Sequence, residues 1–157
     1  TPMGGRMLRK WMILPLKDLE AINKRHSIVD EFIKNENNIF EIRKQLKDFG
    51  DIERIISKIS IGKVSPKELI VLKDSIKATN QIVEFVKNSK EIQYLTRGIS
   101  SLSEVISKVG NEIHPNAPAV IGKGRLIADG VNQKLDEYRD IANNGKNILL
   151  NLQKSEK

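Results

Sequence analysis

The sequence contains no cysteine and few aromatic residues, which make up 4% of its 157 residues. Without cysteine, the chain can form neither disulfide bonds nor thiolate zinc sites, and it has no cysteine nucleophile. Its core must therefore consist mainly of isoleucine, leucine and valine. No stretch approaches the ~20 apolar residues that cross a bilayer, so we expect no membrane-spanning segment. These features are compatible with a reducing cytoplasm.

Recognisable catalytic chemistry is also missing. The two histidines, His26 and His114, are far apart in sequence, and no carboxylates stand at a spacing that would complete a metal site. We expect His26 to be half-buried on a helix and His114 to lie solvated in a loop. The pairs Gly62-Lys63 and Gly122-Lys123 lack the other residues of a Walker A loop. We therefore expect no catalytic residue, no metal and no cofactor in this chain.

The chain is basic, with a net charge of +7 that comes from 27 Lys and Arg against 20 Asp and Glu. Such a balance favours an anionic partner such as DNA, although a solvated lysine-rich surface is the more common explanation. Arg6, Arg9 and Lys10 form the densest basic patch. The start at Thr1-Pro2-Met3 suggests an excised piece of a longer protein.

Hydrophobic periodicity predicts an all-α helical bundle with a long C-terminal exit helix. Helices are expected at 4–14, 18–36, 39–49, 52–59, 66–86, 89–94 and 101–113, and from 130 to near the C-terminus. We divide the chain into a helical core at 1–113, a loop with a possible short strand at 114–130, and the exit helix at 131–157.

Several residues mark helix ends. Pro15 should stop the first helix, Asn37-Asn38 should break the second, and Gly50 should form a left-handed C-cap. Asp51 can cap the next helix. Ser65-Pro66-Lys67-Glu68 predicts a capping box with proline at the first helical position, and 101–104 predicts a second box. Gly50, Gly62 and the loop at 114–124 are also candidate hinges.

Apolar residues at helical spacing predict buried faces, and Trp11 is expected in the core together with Ile52, Ile55 and Leu69. The predicted face of the second helix consists of Leu19, Ile22, His26, Val29 and Ile33. That of the fourth consists of Ile52, Ile55, Ile56 and Ile59. The exit helix carries a seam that needs a partner helix, formed by Val131, Leu135, Tyr138, Ala142, Gly145, Leu149 and Leu152. We expect this seam to be partly exposed, and the helix to fray or to pair between copies.

Several motifs, in order along nearly the whole chain, resemble the MutS family of DNA mismatch repair proteins. The opening segment 1–16 is similar to the family's entry into its core domain, and 23–26 to the stretch that follows. Gly50-Asp51-Ile52-Glu53-Arg54 is close to the family's G-D-L-E-R, and 65–69 is similar to its next helix start. Segments 124–130, 135–139 and 144–146 resemble the run into the clamp arm, although Arg125 stands where the family often has a second glycine. The motif residues that we single out are Gly4, Gly5, Arg6, Trp11, Pro15, Gly50, Asp51, Glu53, Arg54, Ser65, Pro66, Leu135, Asp136, Glu137 and Arg139.

The resemblance implies that this chain is the core and lever region of such a protein, up to the start of its DNA clamp. It would be a structural region that transmits conformational signals and is not itself an enzyme. The parent would be a bacterial, cytoplasmic, nucleoid-associated homodimer that binds mismatched DNA, uses ATP and Mg in another domain, and works with MutL. The family's Phe-x-Glu wedge is absent at every phenylalanine of this chain. The residues alone leave two alternatives, a freestanding helical scaffold or adaptor and a non-specific DNA-binding helical domain.

Overall fold

A computed structural model describes the backbone of residues 1–155 and the side chains of residues 1–145. The helices are α1 (Pro2–Ile13), α2 (Leu19–Lys34), α3 (Glu36–Leu46), α4 (Ile52–Ser60), α5 (Pro66–Val86), α6 (Lys90–Gln93), α7 (Ser103–Glu112) and α8 (Gln133–Ser155), with a short 3-10 turn at Tyr94–Thr96. Within this part of the chain the only extended pairing is a single antiparallel bridge between Ile113 and Ile127. The all-α prediction is confirmed. The division of the chain into a core at 1–113, a loop at 114–130 and an exit helix at 131–157 stays a prediction.

The bundle is organised around α5, against which α3, α4 and α7 pack. Its start follows the predicted capping box: the Ser65 hydroxyl accepts from the backbone N–H of Glu68, and the Glu68 carboxylate accepts from the backbone N–H of Ser65. Leu72 and Ile76 of α5 pack against Ile55 of α4 in the core. Each large apolar side chain buried in this way contributes ~1.5–3 kcal/mol. Val86 of α5, Ile92 of α6 and Ile28 of α2 are also buried, and α6 packs against both α2 and α5.

The break between α2 and α3 lies at Asn35, so the prediction of a break at Asn37-Asn38 was wrong. Asn35 leaves the helical conformation with φ −123° and ψ 72°, and its side-chain amide donates to the Glu31 carboxylate at 3.0 Å. The two later asparagines instead lie in the first turn of α3, where short polar side chains are well tolerated. The boundary coincides with several local hydrogen bonds of Asn35, which the sequence pattern does not reveal.

The left-handed C-cap is Gly62 and not Gly50, which corrects a second prediction. Gly62 has φ +65°, and the N–H of Lys63 donates to the carbonyl of Lys58 at 2.8 Å. The N–H of Gly62 also donates to the carbonyl of Ile59, which completes a Schellman ending for α4. Gly50 does not have positive φ. It lies instead where the chain passes close to α5.

The second predicted capping box, at 101–104, is not formed. The residue before α7 is Leu102, in the left-handed conformation with φ +47°, and it makes no side-chain cap. The carbonyl of Ser101 accepts from the side-chain amide of Asn80 on α5 at 2.8 Å. This tertiary contact holds the segment that enters α7, and it takes precedence over the local capping signal.

Three predictions of burial were wrong, one of them only in part. On α2, Leu19, Val29, Ile33 and His26 are exposed, because the helix turns the face of Ile28 and Phe32 inward toward α3 and α6. On α4, only Ile55 is buried and Ile52 is half-buried, whereas Ile56 and Ile59 are exposed. Trp11 is 41% exposed and is not a core residue. Both α2 and α4 carry apolar residues on more than one face, so the packing partners decide which face is buried.

The loop that precedes α8 is tied to the end of α7. The N–H of His114 donates to the carbonyl of Leu126, and the N–H of Ala128 donates to the carbonyl of Glu112, both at 2.9 Å. The predicted extended piece is thus reduced to one bridge. His114 is half-buried, not solvated as expected, and its Nδ1 accepts from the backbone N–H of Asn116.

The exit helix begins at Gln133, where the Asn132 side chain accepts from the N–H of Leu135. Along its seam, Val131 and Tyr138 are exposed and Leu135 is half-buried, as the sequence predicts. Leu149 and Leu152 lie outside the residues whose side chains are described. In the described range, neither α8 nor any other helix combines the length and apolar character that a membrane crossing requires.

Candidate functional site

An arginine of α1 and two carboxylates at the start of α4 form the first cluster, which we call the Arg6 junction (Arg6, Asp51 and Glu53). The Arg6 guanidinium donates to both carboxylate oxygens of Asp51, at 2.8 and 2.7 Å, and its Nε donates to Glu53 at 3.0 Å. This is the two-pronged geometry that suits arginine and a carboxylate. Two sequence motifs that lie 45 residues apart therefore meet in space.

Within the Arg6 junction, Arg6 and Asp51 each stabilise the charged form of the other. The hydrogen bonds from Arg6 lower the pKa of Asp51 to about 2, and the backbone N–H of Arg54 adds to the effect by donating to the same carboxylate. Asp51 in turn raises the pKa of Arg6, with a smaller contribution from Glu53. Arg6 and Asp51 are therefore both charged at neutral pH. Since the Arg6 guanidinium is engaged, the basic patch seen in the sequence is reduced to Arg9 and Lys10.

A second contact joins α1 to α2. The guanidinium of Arg25 lies over the ring of Trp11, with its carbon 3.7 Å from the ring centroid. A cation over an indole face is attracted by the negative charge density of the ring. Trp11 therefore fixes the C-terminal half of α1 against α2, and does so from a partly exposed position.

Gly50 joins the Arg6 junction to the centre of the bundle. Its N–H donates to the hydroxyl of Ser75 at 2.9 Å, and that hydroxyl donates to the carbonyl of Val71 at 2.7 Å. A Cβ on Gly50 would overlap the Cγ1 methyl of Val71 and lie 3.3 Å from the Ser75 hydroxyl. Glycine is required here by this close approach to α5 and not by a left-handed turn.

The second cluster, the Arg139 junction (Arg139, Asp129 and Asp136), lies at the base of α8. The Arg139 guanidinium donates to Asp129 at 2.8 Å, to Asp136 at 3.1 Å and to the carbonyl of Ile127 at 2.9 Å. Asp136 also accepts from the backbone N–H of Gly130 at 2.8 Å. The Arg139 side chain thus links the first two turns of α8 to the segment that precedes this helix.

The other motif residues contribute to local structure. The N–H of Gly4 donates to the hydroxyl of Thr1, and Gly5 has open space beside it. Pro15 lies in the connection between α1 and α2, and Glu137 accepts from the side chain of Gln133. None of these residues belongs to either junction, and the same holds for Trp11, Ser65, Pro66 and Leu135. Whether any motif residue has a functional role stays a prediction.

Sequence reasoning missed several residues that hold these clusters together. Ser75 could have been noticed as a polar residue between the apolar Leu72 and Ile76 of α5. Arg25 and Asp129 lie in segments that resemble the family, at 23–26 and 124–130. No local pattern indicated their contacts, because their partners Trp11 and Arg139 lie on other elements. The same holds for Glu91 of α6, which accepts from the side chains of Lys24 at 2.6 Å and Ser27 at 2.8 Å. These hydrogen bonds lower the pKa of Glu91.

No group of three potential metal ligands occurs in the part of the chain that the structure describes. A largely apolar, open groove of about 380 Å³ lies between α4, α5 and the segment that leads into α7. It is lined mainly by isoleucine, leucine and valine side chains, and no charged residue lines it. The clusters are therefore suited to holding helices together, and the groove lacks groups for acid–base chemistry.

Comparison with known proteins places these features in one family. The family described as MutS domain III matches residues 1–155. The DNA mismatch repair protein MutS of Parabacteroides distasonis is 39% identical over 99% of this chain, and its counterparts in Flavobacterium johnsoniae and Bacteroides thetaiotaomicron are 38% and 37% identical over the same share. The chain spans 18% of the length of each of these relatives.

Proposed function

The chain belongs to the MutS domain III family, and we propose that it acts as the lever region of a DNA mismatch repair protein, carrying conformational changes between parts of a longer chain. The relatives are named for DNA mismatch repair, and this chain corresponds to only 18% of their length. In the proposed parent, mismatched DNA, ATP with Mg, a second protomer and MutL are bound by other regions, in the bacterial cytoplasm close to the nucleoid. The region described here has a mechanical role and performs no catalytic step.

The observation that carries this proposal is the Arg139 junction. A lever needs an arm that is rigidly fixed at its base. The arm is α8, whose 23 residues at 1.5 Å each give a length of about 35 Å. Its base is fixed because Arg139 binds Asp136 on the helix itself and Asp129 in the preceding segment.

The contacts continue from the base of α8 into the bundle. The carbonyl of Ile127 accepts from Arg139, and Ile127 itself pairs with Ile113 at the end of α7. Helix α7 packs along α5, the central helix. Close-packed helices resist deformation and move as rigid bodies. A displacement of α8 would therefore move the bundle with it, and the loop at 114–124 would not act as a hinge.

The proposal is tested by measuring how strongly mismatched DNA stimulates ATP hydrolysis, separately from DNA affinity and from the ATPase rate without DNA. In the full-length parent, Arg139→Gln should reduce the stimulation of ATPase activity by mismatched DNA, and should leave mismatch affinity and the DNA-free ATPase rate unchanged. Arg125→Gln is the matched control, because Arg125 makes a single, longer contact of 3.3 Å to Asp129. The proposal fails if the two variants behave alike, or if Arg139→Gln retains full stimulation.

A distance measurement tests rigidity directly. Spin labels at the exposed positions Glu84 on α5 and Ala142 on α8 would be introduced as cysteines into a parent freed of its other cysteines. The distance between them should stay constant when ATP and mismatched DNA are added, while distances from either label to the ATPase part change. A change between the two labels within this region would show a flexible connection and contradict the lever.

A further inference from the structure

Helix α1 is attached to the bundle without burying any residue. None of its 12 residues is buried, whereas α5 buries four. Five of its large apolar side chains are exposed, namely Met7, Leu8, Trp11, Met12 and Ile13, and Met3 is half-buried. An isolated helix of this length is only marginally stable in water, and two of its residues are glycines, which disfavour helix. Something other than apolar packing must therefore hold α1 in place.

Two guanidinium contacts take that role. Arg6 reaches from α1 to the carboxylates of Asp51 and Glu53, and Arg25 reaches from α2 to the ring of Trp11. The side chains of Arg6 and Glu53 are 38% and 67% exposed, and that of Asp51 is 16% exposed, so the Glu53 contact is the one most open to salt. Exposed ion pairs are weak and are screened by salt, with a Debye length that falls from ~10 Å at 0.1 M to ~3 Å at 1 M. α1 itself carries only positive charge, from Arg6, Arg9 and Lys10. Rising salt therefore weakens its attraction to the carboxylates at the start of α4.

We propose that α1 is a detachable arm, which leaves the bundle when its two guanidinium contacts are weakened, while the bundle stays folded. The 14–18 connection is non-helical and contains Pro15, so α1 can move without unwinding α2. The cap of α4 does not depend on α1, because Asp51 accepts directly from the N–H of Arg54. The contact between Gly50 and Ser75 is likewise independent of the arm. This inference does not rest on the lever function.

Trp11 reports the position of the arm, since it is the only tryptophan in the chain. Its emission would be followed in the 157-residue chain from low salt to 1 M NaCl, with far-UV circular dichroism recorded in parallel. We expect a red shift and greater quenching by acrylamide as salt rises, while the helical signal of the bundle persists. In Arg6→Gln the same transition should occur at lower salt.

Two further variants make the test specific. Arg9→Gln removes the same charge from the same helix, and Arg9 is exposed and joined by no ion pair to the residues that the structure describes. Its transition should stay close to that of the unsubstituted chain. Glu53→Gln removes the exposed partner on α4 while Asp51 keeps its bonds to Arg6 and its capping role, so the transition should move in the same direction as in Arg6→Gln but by less. The proposal is overturned if Trp11 emission does not respond to salt, if it changes only together with loss of helicity, or if Arg6→Gln matches Arg9→Gln.

Discussion

The backbone N–H of Gly50 donates to the hydroxyl of Ser75, which is 1% exposed on the inner face of α5. The hydrogen bond requires the chain between α3 and α4 to approach α5 so closely that no side chain fits on residue 50. Asp51, the next residue, caps α4 and binds Arg6. The position of the Arg6 junction relative to the bundle core is therefore fixed by this contact.

Gly50→Ala should destabilise the bundle by about 1–3 kcal/mol, the usual cost of inserting a methyl group into a packed site. The added Cβ would overlap the Val71 side chain, which packs against the core cluster of Ile55, Leu72 and Ile76 and therefore has little room to move. The free energy of unfolding in urea measures the effect. Gly110→Ala is the control, because its Cβ would meet only Lys73 at an ordinary 3.7 Å. That substitution lies inside α7 and should stabilise the chain by about 0.5–1 kcal/mol. Equal effects of the two substitutions would contradict the assigned role of Gly50.

Ser75→Ala should cost about 1–3 kcal/mol, because it leaves the N–H of Gly50 without its partner in a half-buried position. The matched control is Ser57→Ala on α4. Ser57 makes the same kind of bond to the carbonyl four residues earlier, at 2.9 Å, but it is exposed and accepts nothing from another helix. Urea unfolding of this variant should be nearly unchanged. A neutral Ser75→Ala would show that water replaces the hydroxyl, and that the contact does not stabilise the fold.

The sequence predicts those features that depend on local chemistry. The capping box at Ser65 and Glu68 and the cap at Asp51 were predicted and are confirmed, because each depends on residues within one turn. The all-α class follows from the hydrophobic periodicity.

Features decided between helices could not be predicted from one sequence. The buried face of α2 depends on where α3 and α6 pack against it. Val29 was therefore wrongly assigned to the core, and Ile28 was overlooked. Gly50 was given a left-handed turn because a glycine after a helix commonly has one, whereas its contact partner lies 25 residues away. The pairing of Arg6 with Asp51 spans 45 residues, and no spacing within either motif indicates it.

Acid should weaken the start of α5. The Lys58 ammonium and the N–H of Ser65 stabilise the charged Glu68 carboxylate, and they lower its pKa to about 2 from its ordinary 4.5. Because the pKa is lower in the folded state, the stabilisation is fully present above about pH 4.5 and is lost as pH falls toward 2. Unfolding free energies at pH 6, 4.5 and 3 would show this loss.

Replacing Lys58, the partner of Glu68, isolates the contribution of this ion pair to the free energy of unfolding. Lys58→Gln should bring the pKa of Glu68 closer to its ordinary value, so the stability difference between this variant and the unsubstituted chain should shrink between pH 6 and pH 3. Lys63→Gln removes an exposed lysine nearby and should give a difference that does not depend on pH in this way. A Lys58→Gln difference that stays constant with pH would contradict the proposed ion pair.

The engaged Arg6 also determines how this chain should respond to DNA. With that guanidinium held by Asp51 and Glu53, only dispersed lysines and arginines such as Arg9 can contact phosphates, which gives affinity without sequence or mismatch preference. Fluorescence anisotropy with matched and single-mismatch duplexes should show weak binding at low salt and none at physiological salt. Arg9→Gln should weaken the residual binding, and Arg6→Gln should leave it unchanged. Tight binding that prefers the mismatch would assign DNA recognition to this region, and it would favour a DNA-binding domain over a lever.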